Sequence, residues 1–258
     1  MEDVLTETPP PSRFFQEDLD NFFTPSPPLP SPFLLLNPKL NPNTKPSLLV
    51  IAISAPSLSL LHLIASKTLI GTLILPEIPL SGNSLAPSPG DKSCNLYAVD
   101  RSPAPTVLAA VQFPVAAERS RAVARTLLGG IHADRVVILD SIRSLNYRGK
   151  LAVDETLVFK LETSKQRSSG DPVVKEVEYL PSGSVMDGLG AAILAECQMR
   201  KVKGTMLATW PESGGLPVTT ILRSLFRDLG FDVHGIEGES GFSAGFKVSS
   251  RIDSVLYT

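Results

Sequence analysis

The sequence is poor in the residues that most often carry enzyme chemistry. Among 258 residues there are three histidines and two cysteines. His62, His132 and His234 stand apart in the chain without a serine or cysteine motif beside them, which is more typical of structural residues than of catalytic bases. Cys94 and Cys197 lack the close spacing of a zinc site and the number expected of a disulfide scaffold. We therefore expect free thiols, no metal, no cofactor and no enzyme activity.

The sequence also lacks an excess of charge and a long apolar run. Lysine and arginine total 24 against 26 acidic residues, for a formal net charge of -2. Such a balance provides no basic field for nucleic acid or for an anionic membrane surface. No apolar run reaches the ~18 residues of a membrane span, and the acidic, proline-rich beginning does not resemble a signal peptide. We expect a soluble protein that binds neither nucleic acid nor membrane.

Proline is concentrated at the beginning of the chain. Residues 1–46 contain 11 of the 23 prolines, which predicts a disordered arm because proline removes a backbone donor and disfavours helix in its predecessor. The same arm contains the pairs Phe14-Phe15 and Phe22-Phe23 among acidic residues. Two interpretations remain open for these aromatic side chains: they fold onto a partner, or they pack on the chain's own domain.

Residues 47–258 alternate between apolar runs and helical patterns. The runs predict strands at 48–54, 68–77, 95–100, 106–114, 135–142, 151–163, 173–180 and 205–210. Helices are predicted at 57–66, 115–128, 184–200 and 216–229, and a mobile polar loop at 164–171. This alternation indicates a single α/β domain whose central, mainly parallel or mixed sheet is covered by helices. The glycines after residue 234 predict a flexible C-terminal tail over about 235–258.

Glycine-rich stretches occur, but their spacing fits no phosphate-binding loop. Gly188-Leu189-Gly190 opens a predicted helix, yet Ile193 stands where a dinucleotide fingerprint requires its third glycine. No Gly-Lys-Ser/Thr loop is present either. For the start of this helix we expect Ser184 to be the cap, with the Asp187 carboxylate three residues on.

One block of sequence, taken with the end of the chain, resembles a known family. "GLGAAILAECQMRKVKGTMLATWP", which begins at Gly188, and the terminal "VLYT" are similar to the proteasome assembly chaperone 1 family in its plant form. The resemblance is concentrated in residues 186–210 and the last residues, and it excludes the proline-rich arm. It implies a noncatalytic chaperone of proteasome core-particle assembly that forms a heterodimer with proteasome assembly chaperone 2 and promotes formation of the α-ring. The two isolated cysteines suit a reducing compartment, so we expect a cytoplasmic location, with the nucleus as a second one.

The last three residues carry the site that this resemblance implies. By composition alone, such an ending is more typical of frayed terminal residues than of a ligand. The family's hydrophobic-Tyr-X motif maps onto Leu256, Tyr257 and Thr258. In related tails the free carboxylate meets a lysine in a pocket between two proteasome α subunits, with the tyrosine beside it. The implied partners are therefore proteasome assembly chaperone 2 and the α subunits.

A second hypothesis belongs to a different class. The inferred architecture is also that of small-molecule enzymes of the nucleoside-phosphorylase-like α/β type. Such an enzyme would need a base and acidic groups close together, and Asp140, Asp187 and His132 are the available candidates. This alternative rests on architecture alone, whereas the chaperone hypothesis rests on quoted residues.

Overall fold

The predicted α/β domain with a mixed central sheet is confirmed. A computed structural model describes residues 29–37, 45–78, 92–99, 105–150, 155–174, 177–231 and 233. Within these ranges there are nine strands, five α-helices and one turn of 3-10 helix at Ser144–Asn146. The strands are β1 (Phe33–Leu36), β2 (Leu48–Ala52), β3 (Thr68–Ile74), β4 (Cys94–Val99), β5 (Thr106–Val111), β6 (Arg135–Ser141), β7 (Leu157–Glu162), β8 (Glu178–Tyr179) and β9 (Lys203–Trp210). The helices are α1 (Ala55–His62), α2 (Ala117–Gly130), α3 (Ser164–Ser168), α4 (Gly188–Met199) and α5 (Leu216–Asp228).

All nine strands belong to one sheet, in the order β1-β3-β4-β5-β2-β6-β9-β7-β8. The four middle strands, β5, β2, β6 and β9, run parallel to one another. On one side the sheet continues through antiparallel pairs of β5 with β4, β4 with β3 and β3 with β1. On the other side β7 pairs antiparallel with β9, and β8 pairs parallel with β7. The parallel middle is therefore flanked by antiparallel strands on both sides.

Helices cover the parallel strands on both faces. Leu49 and Ile51 of β2 pack in one core cluster with α2 and α4, whereas Val50 and Ala52 pack in a second cluster with α1 and α5. All four of these side chains are fully buried. The split follows from the strand geometry, since successive side chains point to opposite faces. Because helices cover both faces of these parallel strands, the residues of β2 form a continuous apolar run in the sequence.

The Arg200 side chain links the two helices on the first face. The Arg200 Nε donates to the buried Glu196 carboxylate at 2.7 Å, and the Arg200 Nη1 donates to the Leu128 carbonyl in the last turn of α2 at 2.8 Å. The guanidinium thus satisfies a carbonyl that has no partner within its own helix. It also places a positive charge where the α2 dipole favours one. Arg200, at the end of α4, therefore also stabilises the end of α2.

Two segments differ from the sequence-based expectation because local hydrogen bonds organise them. The polar stretch 164–171, which was predicted to be a mobile loop, contains the short helix α3. The Thr163 hydroxyl accepts from the Gln166 amide at 3.3 Å, and Gln166 is buried. Ser184 does not cap α4, because that helix begins at Gly188 with Asp187 in the extended N-cap position. The Ser184 hydroxyl instead accepts from the Arg148 amide at 2.9 Å.

A further difference lies in the proline-rich arm. Phe33–Leu36 was included in the segment predicted to be disordered, but it forms β1 by pairing antiparallel with β3. Four consecutive apolar residues after Pro32 suffice for an edge strand, because proline is tolerated at a sheet edge. Residues 1–28 and 38–44, which carry eight of the 11 prolines of the arm and the two phenylalanine pairs, lie outside the described residues. Among the helices that the structure describes, none is long and apolar enough to cross a membrane.

Candidate functional site

The site predicted at the end of the chain lies outside the described residues. Leu256, Tyr257 and Thr258 belong to the segment that follows Val233, and His234 belongs to it as well. Val233 itself forms an isolated antiparallel bridge with Ile64, just after α1. Val233 is the last residue that the structure describes before the predicted docking tail.

Within the described residues, polar side chains gather where the parallel strands end. Asp140 lies near the end of β6, and its Oδ1 accepts from the Ser141 amide at 2.8 Å. Asp187 precedes α4 and forms an ion pair with Arg143 across 3.5 Å. Glu212 follows β9 and adds a third carboxylate to the electrostatic environment of Asp140. This is the carboxyl edge of the sheet, where α/β proteins most often place their ligands.

The environment of Asp140 disfavours its charged form. Burial raises the pKa of the Asp140 carboxyl to about 6, while the Ser141 amide opposes the rise. The neighbouring Asp187 raises the pKa further, Arg143 lowers it, and Glu212 raises it. Desolvation is the largest of these effects, as is usual for a carboxyl group removed from water. Asp140 can therefore bind and release a proton close to neutral pH.

Helix α4 approaches this carboxylate so closely that a side chain would not fit between them. A Cβ placed on Gly190 would lie 2.3 Å from the Asp140 Oδ2 and 3.1 Å from the Met206 sulfur. The glycine that suggested an incomplete dinucleotide fingerprint is thus required for contact between the helix and β6. The structure gives this glycine a packing role.

The three residues of the enzyme hypothesis do not converge. Asp140 and Asp187 are brought together at the carboxyl edge. His132 is exposed in the connection between α2 and β6, so it lies at the opposite end of the strand that carries Asp140. A base must come within hydrogen-bonding reach of the groups it serves, and a strand of seven residues separates these two. The arrangement does not supply the acid-base pair that this hypothesis required.

Neither cysteine is suited to chemistry in this structure. Cys94 and Cys197 are both free and buried. Burial raises the pKa of the Cys94 thiol to about 11 and that of Cys197 to about 12, so both remain protonated at neutral pH. Among the described residues, no group of three or more histidine, cysteine, aspartate or glutamate side chains is placed to hold a metal ion.

Exposed apolar side chains surround the carboxyl edge, and sequence reasoning missed them. Leu145 is 95% exposed in the 3-10 turn, and Leu216 is 71% exposed at the start of α5. Val185 is also exposed, and its amide donates to the Asn146 carbonyl at 2.8 Å, which ties its loop to the 3-10 turn. Single leucines in polar loops are the signal that could have drawn attention to them.

Several solved structures share this architecture. No family model matches the chain. No curated protein sequence matches it either. PbaA, an archaeal homolog of proteasome-assembly chaperone from Pyrococcus furiosus, aligns with a TM-score of 0.57 at 14% identity over 80% of this chain and 84% of its own. PbaB, an archaeal proteasome activator from the same organism, gives a TM-score of 0.57 at 12% identity over 79% and 91%.

The chain has the fold of these proteins. A protein of unknown function from Thermoplasma acidophilum aligns similarly, with a TM-score of 0.53 at 18% identity over 77% of this chain and 82% of its own. About a fifth of the chain is left uncovered in each alignment. At such low identity the comparison establishes architecture, and the roles of individual residues must be argued from this chain.

Proposed function

We propose that this chain is a noncatalytic chaperone of proteasome core-particle assembly. It works in the cytoplasm and nucleus as a heterodimer with proteasome assembly chaperone 2, and it promotes formation of the α-ring. The observation that carries the proposal is the fold shared with PbaA, an archaeal homolog of proteasome-assembly chaperone, and with the proteasome activator PbaB. The sequence resemblance in residues 186–210 and at the terminus points independently to the same class of protein.

The carboxyl edge of the sheet supports a binding role over a catalytic one. His132 lies a full strand away from Asp140, and Gly190 packs directly on the Asp140 carboxylate. Among the residues that the structure describes, Asp140 therefore has no histidine beside it to act as the base that a small-molecule enzyme of this kind would need. Exposed Leu145 and Leu216 offer apolar surface instead.

In the proposal, Leu256, Tyr257 and Thr258 dock between two α subunits. A charge-assisted bond between the terminal carboxylate and a lysine contributes ~1.5–3 kcal/mol. Burial of the leucine and tyrosine side chains adds about 3–6 kcal/mol. Ordering four tail residues costs roughly 4–8 kcal/mol, so the tail alone binds weakly. It requires a folded platform that touches the same ring, which raises the effective concentration of the tail to the order of mM.

The segment beyond Val233 is long enough for this task. Residues 234–258 can span at most about 3.3–3.6 Å per residue, so the terminus can reach a pocket well outside the domain. The bridge between Val233 and Ile64 fixes the origin of the segment beside α1.

The test is a pull-down of α subunits with the tagged full-length chain and proteasome assembly chaperone 2. Deletion of residues 256–258, or Tyr257→Ala, should reduce recovery of α subunits at least tenfold and leave recovery of the partner chaperone unchanged. Addition of one glycine after Thr258 keeps every side chain and moves only the carboxylate, so it should reduce recovery as well. Tyr179→Ala, which removes a tyrosine from the folded domain, serves as the control. Undiminished recovery with the deletion would contradict the docking role.

A further inference from the structure

Strand β1 leaves one row of backbone hydrogen-bonding groups facing away from the sheet. Among the strands that the structure describes, it is the first in the sheet order and pairs with β3 alone. The Asn37 amide donates to the Ile70 carbonyl at 2.8 Å, so Asn37 and Ile70 form a hydrogen-bonded pair of the antiparallel ladder. Bonded and non-bonded residues alternate in such a ladder, so Phe33 and Leu35 bond to β3. The N–H and C=O groups of Leu34 and Leu36 are consequently directed outward.

The side chains of the same strand present an apolar surface. Phe33 is 52% exposed and Leu35 is 59% exposed, and the period of the strand places both on one face. Leu34 points to the other face and packs in the core cluster that contains α2. Leu69 on the neighbouring β3 is also exposed. It lies opposite Tyr97, whose side chain packs in the core cluster that contains α1 and α5. An edge strand with free backbone groups and exposed apolar side chains is a template for another strand.

We propose that β1 pairs antiparallel with β1 of a second copy of this chain, with Leu35 on the two-fold axis. The choice of register follows from proline. With Leu35 on the axis, Leu34 and Leu36 of one copy face Leu36 and Leu34 of the other, which gives two complete hydrogen-bonded pairs. A register centred on Leu34 would set Leu36 opposite Pro32, and one centred on Leu36 would set Leu34 opposite Pro38. Each of those registers loses donors because proline has no N–H.

The favoured register also matches the side chains. Residues directly opposite each other in an antiparallel pair lie on the same face, so the two Leu35 side chains meet across the axis. The Leu35 pair is a non-hydrogen-bonded pair, in which the Cα atoms approach to about 4.5 Å. Phe33 of each copy extends the same apolar surface and faces Asn37 of the other copy. The sheets of the two copies then form one continuous sheet, and their exposed apolar faces lie side by side.

The length of β1 determines how strong this association is. Four residues per copy bury much less than the ~1,200 Å² of a stable specific interface. The pairing is therefore reversible and depends on protein concentration. It does not rest on the proposed chaperone function, since it involves only β1 and its neighbour β3.

Cysteine cross-linking of the full-length chain tests both the pairing and its register. In Leu35→Cys the two thiols would meet at the axis, within the 4.4–6.8 Å range of Cα separations that a disulfide accepts. Cys94 and Cys197 are buried and should not compete. Mild oxidation of the variant should give a disulfide-linked dimer that a reductant dissolves. Phe33→Cys is the matched control, because it is similarly exposed but faces Asn37, and it should cross-link at least tenfold more slowly.

Sedimentation equilibrium provides the second measurement. The weight-average mass of the wild-type chain should rise with concentration, whereas that of Leu35→Lys should stay at the monomer value with an unchanged circular dichroism spectrum. Equal cross-linking of Leu35→Cys and Phe33→Cys would overturn the register. A wild-type chain that remains monomeric at all concentrations, or a Leu35→Lys variant that dimerises as the wild type does, would overturn the pairing.

Discussion

The central strands of the sheet and its two edge strands are built differently. The middle strands, such as β2 and β6, are buried on both faces beneath pairs of helices. At one end β8 has two residues, Glu178 and Tyr179, both exposed. The Tyr179 hydroxyl donates to Glu162 at 2.6 Å, and the Lys160 Nζ lies 4.8 Å from the tyrosine ring centroid. The opposite end, β1, is longer and apolar.

The buried central strands provide the stability of the sheet, whereas an exposed edge strand can pair with another chain. A short edge strand with charged neighbours is a known protection against unwanted strand pairing. β8 has that protection, and β1 has only its short length and Pro32. The predictions below test the contrast, beginning with the change that should cost most stability.

The largest effect is expected when a ring is removed from the middle. Phe226 of α5 is fully buried, and its ring centroid lies 5.8 Å from that of Phe231. Phe226→Ala should lower the free energy of unfolding by about 3–5 kcal/mol, because it leaves a cavity and loses aromatic packing. Urea unfolding followed by circular dichroism measures the change.

The same substitution at the end of the sheet is the control. Phe33→Ala removes an exposed ring from β1 and should change the free energy of unfolding by no more than about 0.5 kcal/mol. Similar losses for Phe226→Ala and Phe33→Ala would show that the contrast between middle and end is wrong.

A smaller effect is expected at the contact between α4 and β6. Gly190→Ala places a methyl group 2.3 Å from the Asp140 carboxylate, and relief requires the helix or the carboxylate to shift. We expect a loss of about 1–3 kcal/mol in the free energy of unfolding. Thermal and urea denaturation measure it.

Gly129→Ala provides a matched helical control. A Cβ at Gly129 would meet only the Arg200 Nη2, at 3.9 Å, so the substitution has room. It should leave stability unchanged or raise it by up to about 1 kcal/mol, since alanine favours helix over glycine. If Gly190→Ala behaves in the same way, the close contact with Asp140 is not a constraint.

The smallest effect concerns the pH dependence of stability. The fold raises the pKa of Asp140 from 3.8 to about 6, so it favours the protonated carboxyl. The corresponding stability is fully present below the ordinary pKa and is lost as pH rises through 6. Between pH 5 and 7 this group should lower the free energy of unfolding by about 1 kcal/mol. Asp140→Asn should lack that decrease while keeping the bond from the Ser141 amide.

Paired urea titrations of the wild type and Asp140→Asn at pH 5 and pH 7 measure this difference. Groups distant from Asp140 titrate equally in both proteins, so the difference between them reports Asp140 together with its electrostatic neighbours Asp187, Arg143 and Glu212. A variant whose stability falls as steeply as that of the wild type would place the pKa of Asp140 outside this pH range.

The sequence predicts the middle of the molecule better than its ends. The apolar runs of β2 and β6 determine buried strands by themselves, and α5 shows the period of a helix with one buried side. β1 was placed in the disordered arm because its four residues lie among prolines, and only pairing with β3 makes them a strand. Strand pairing is a non-local property that a local pattern does not contain.

The candidate site was likewise predicted only in part from the sequence. The sequence identified Asp140, Asp187 and Gly190 as residues of interest, but it did not place Asp140 against Gly190, which lies fifty positions further along the chain. Conversely, it suggested His132 as a partner for Asp140, and the direction of β6 separates them. The terminal residues 256–258 remain a sequence-based prediction.

The strand order has a consequence for the chain during its synthesis. β6 lies between β2, which precedes it, and β9, which follows only after residues 142–202. While the ribosome is adding those residues, the nascent chain already contains β2, β5 and β6, yet β6 has no neighbour on its outer side. The apolar face that α5 later covers is open over the same interval, and the face that α4 covers is open until residues 188–199 have been added. Partly made domains are most prone to aggregate at this stage. A messenger that ends before the codon for Lys203 would therefore yield a fragment with an unfinished sheet, however well its first half folds.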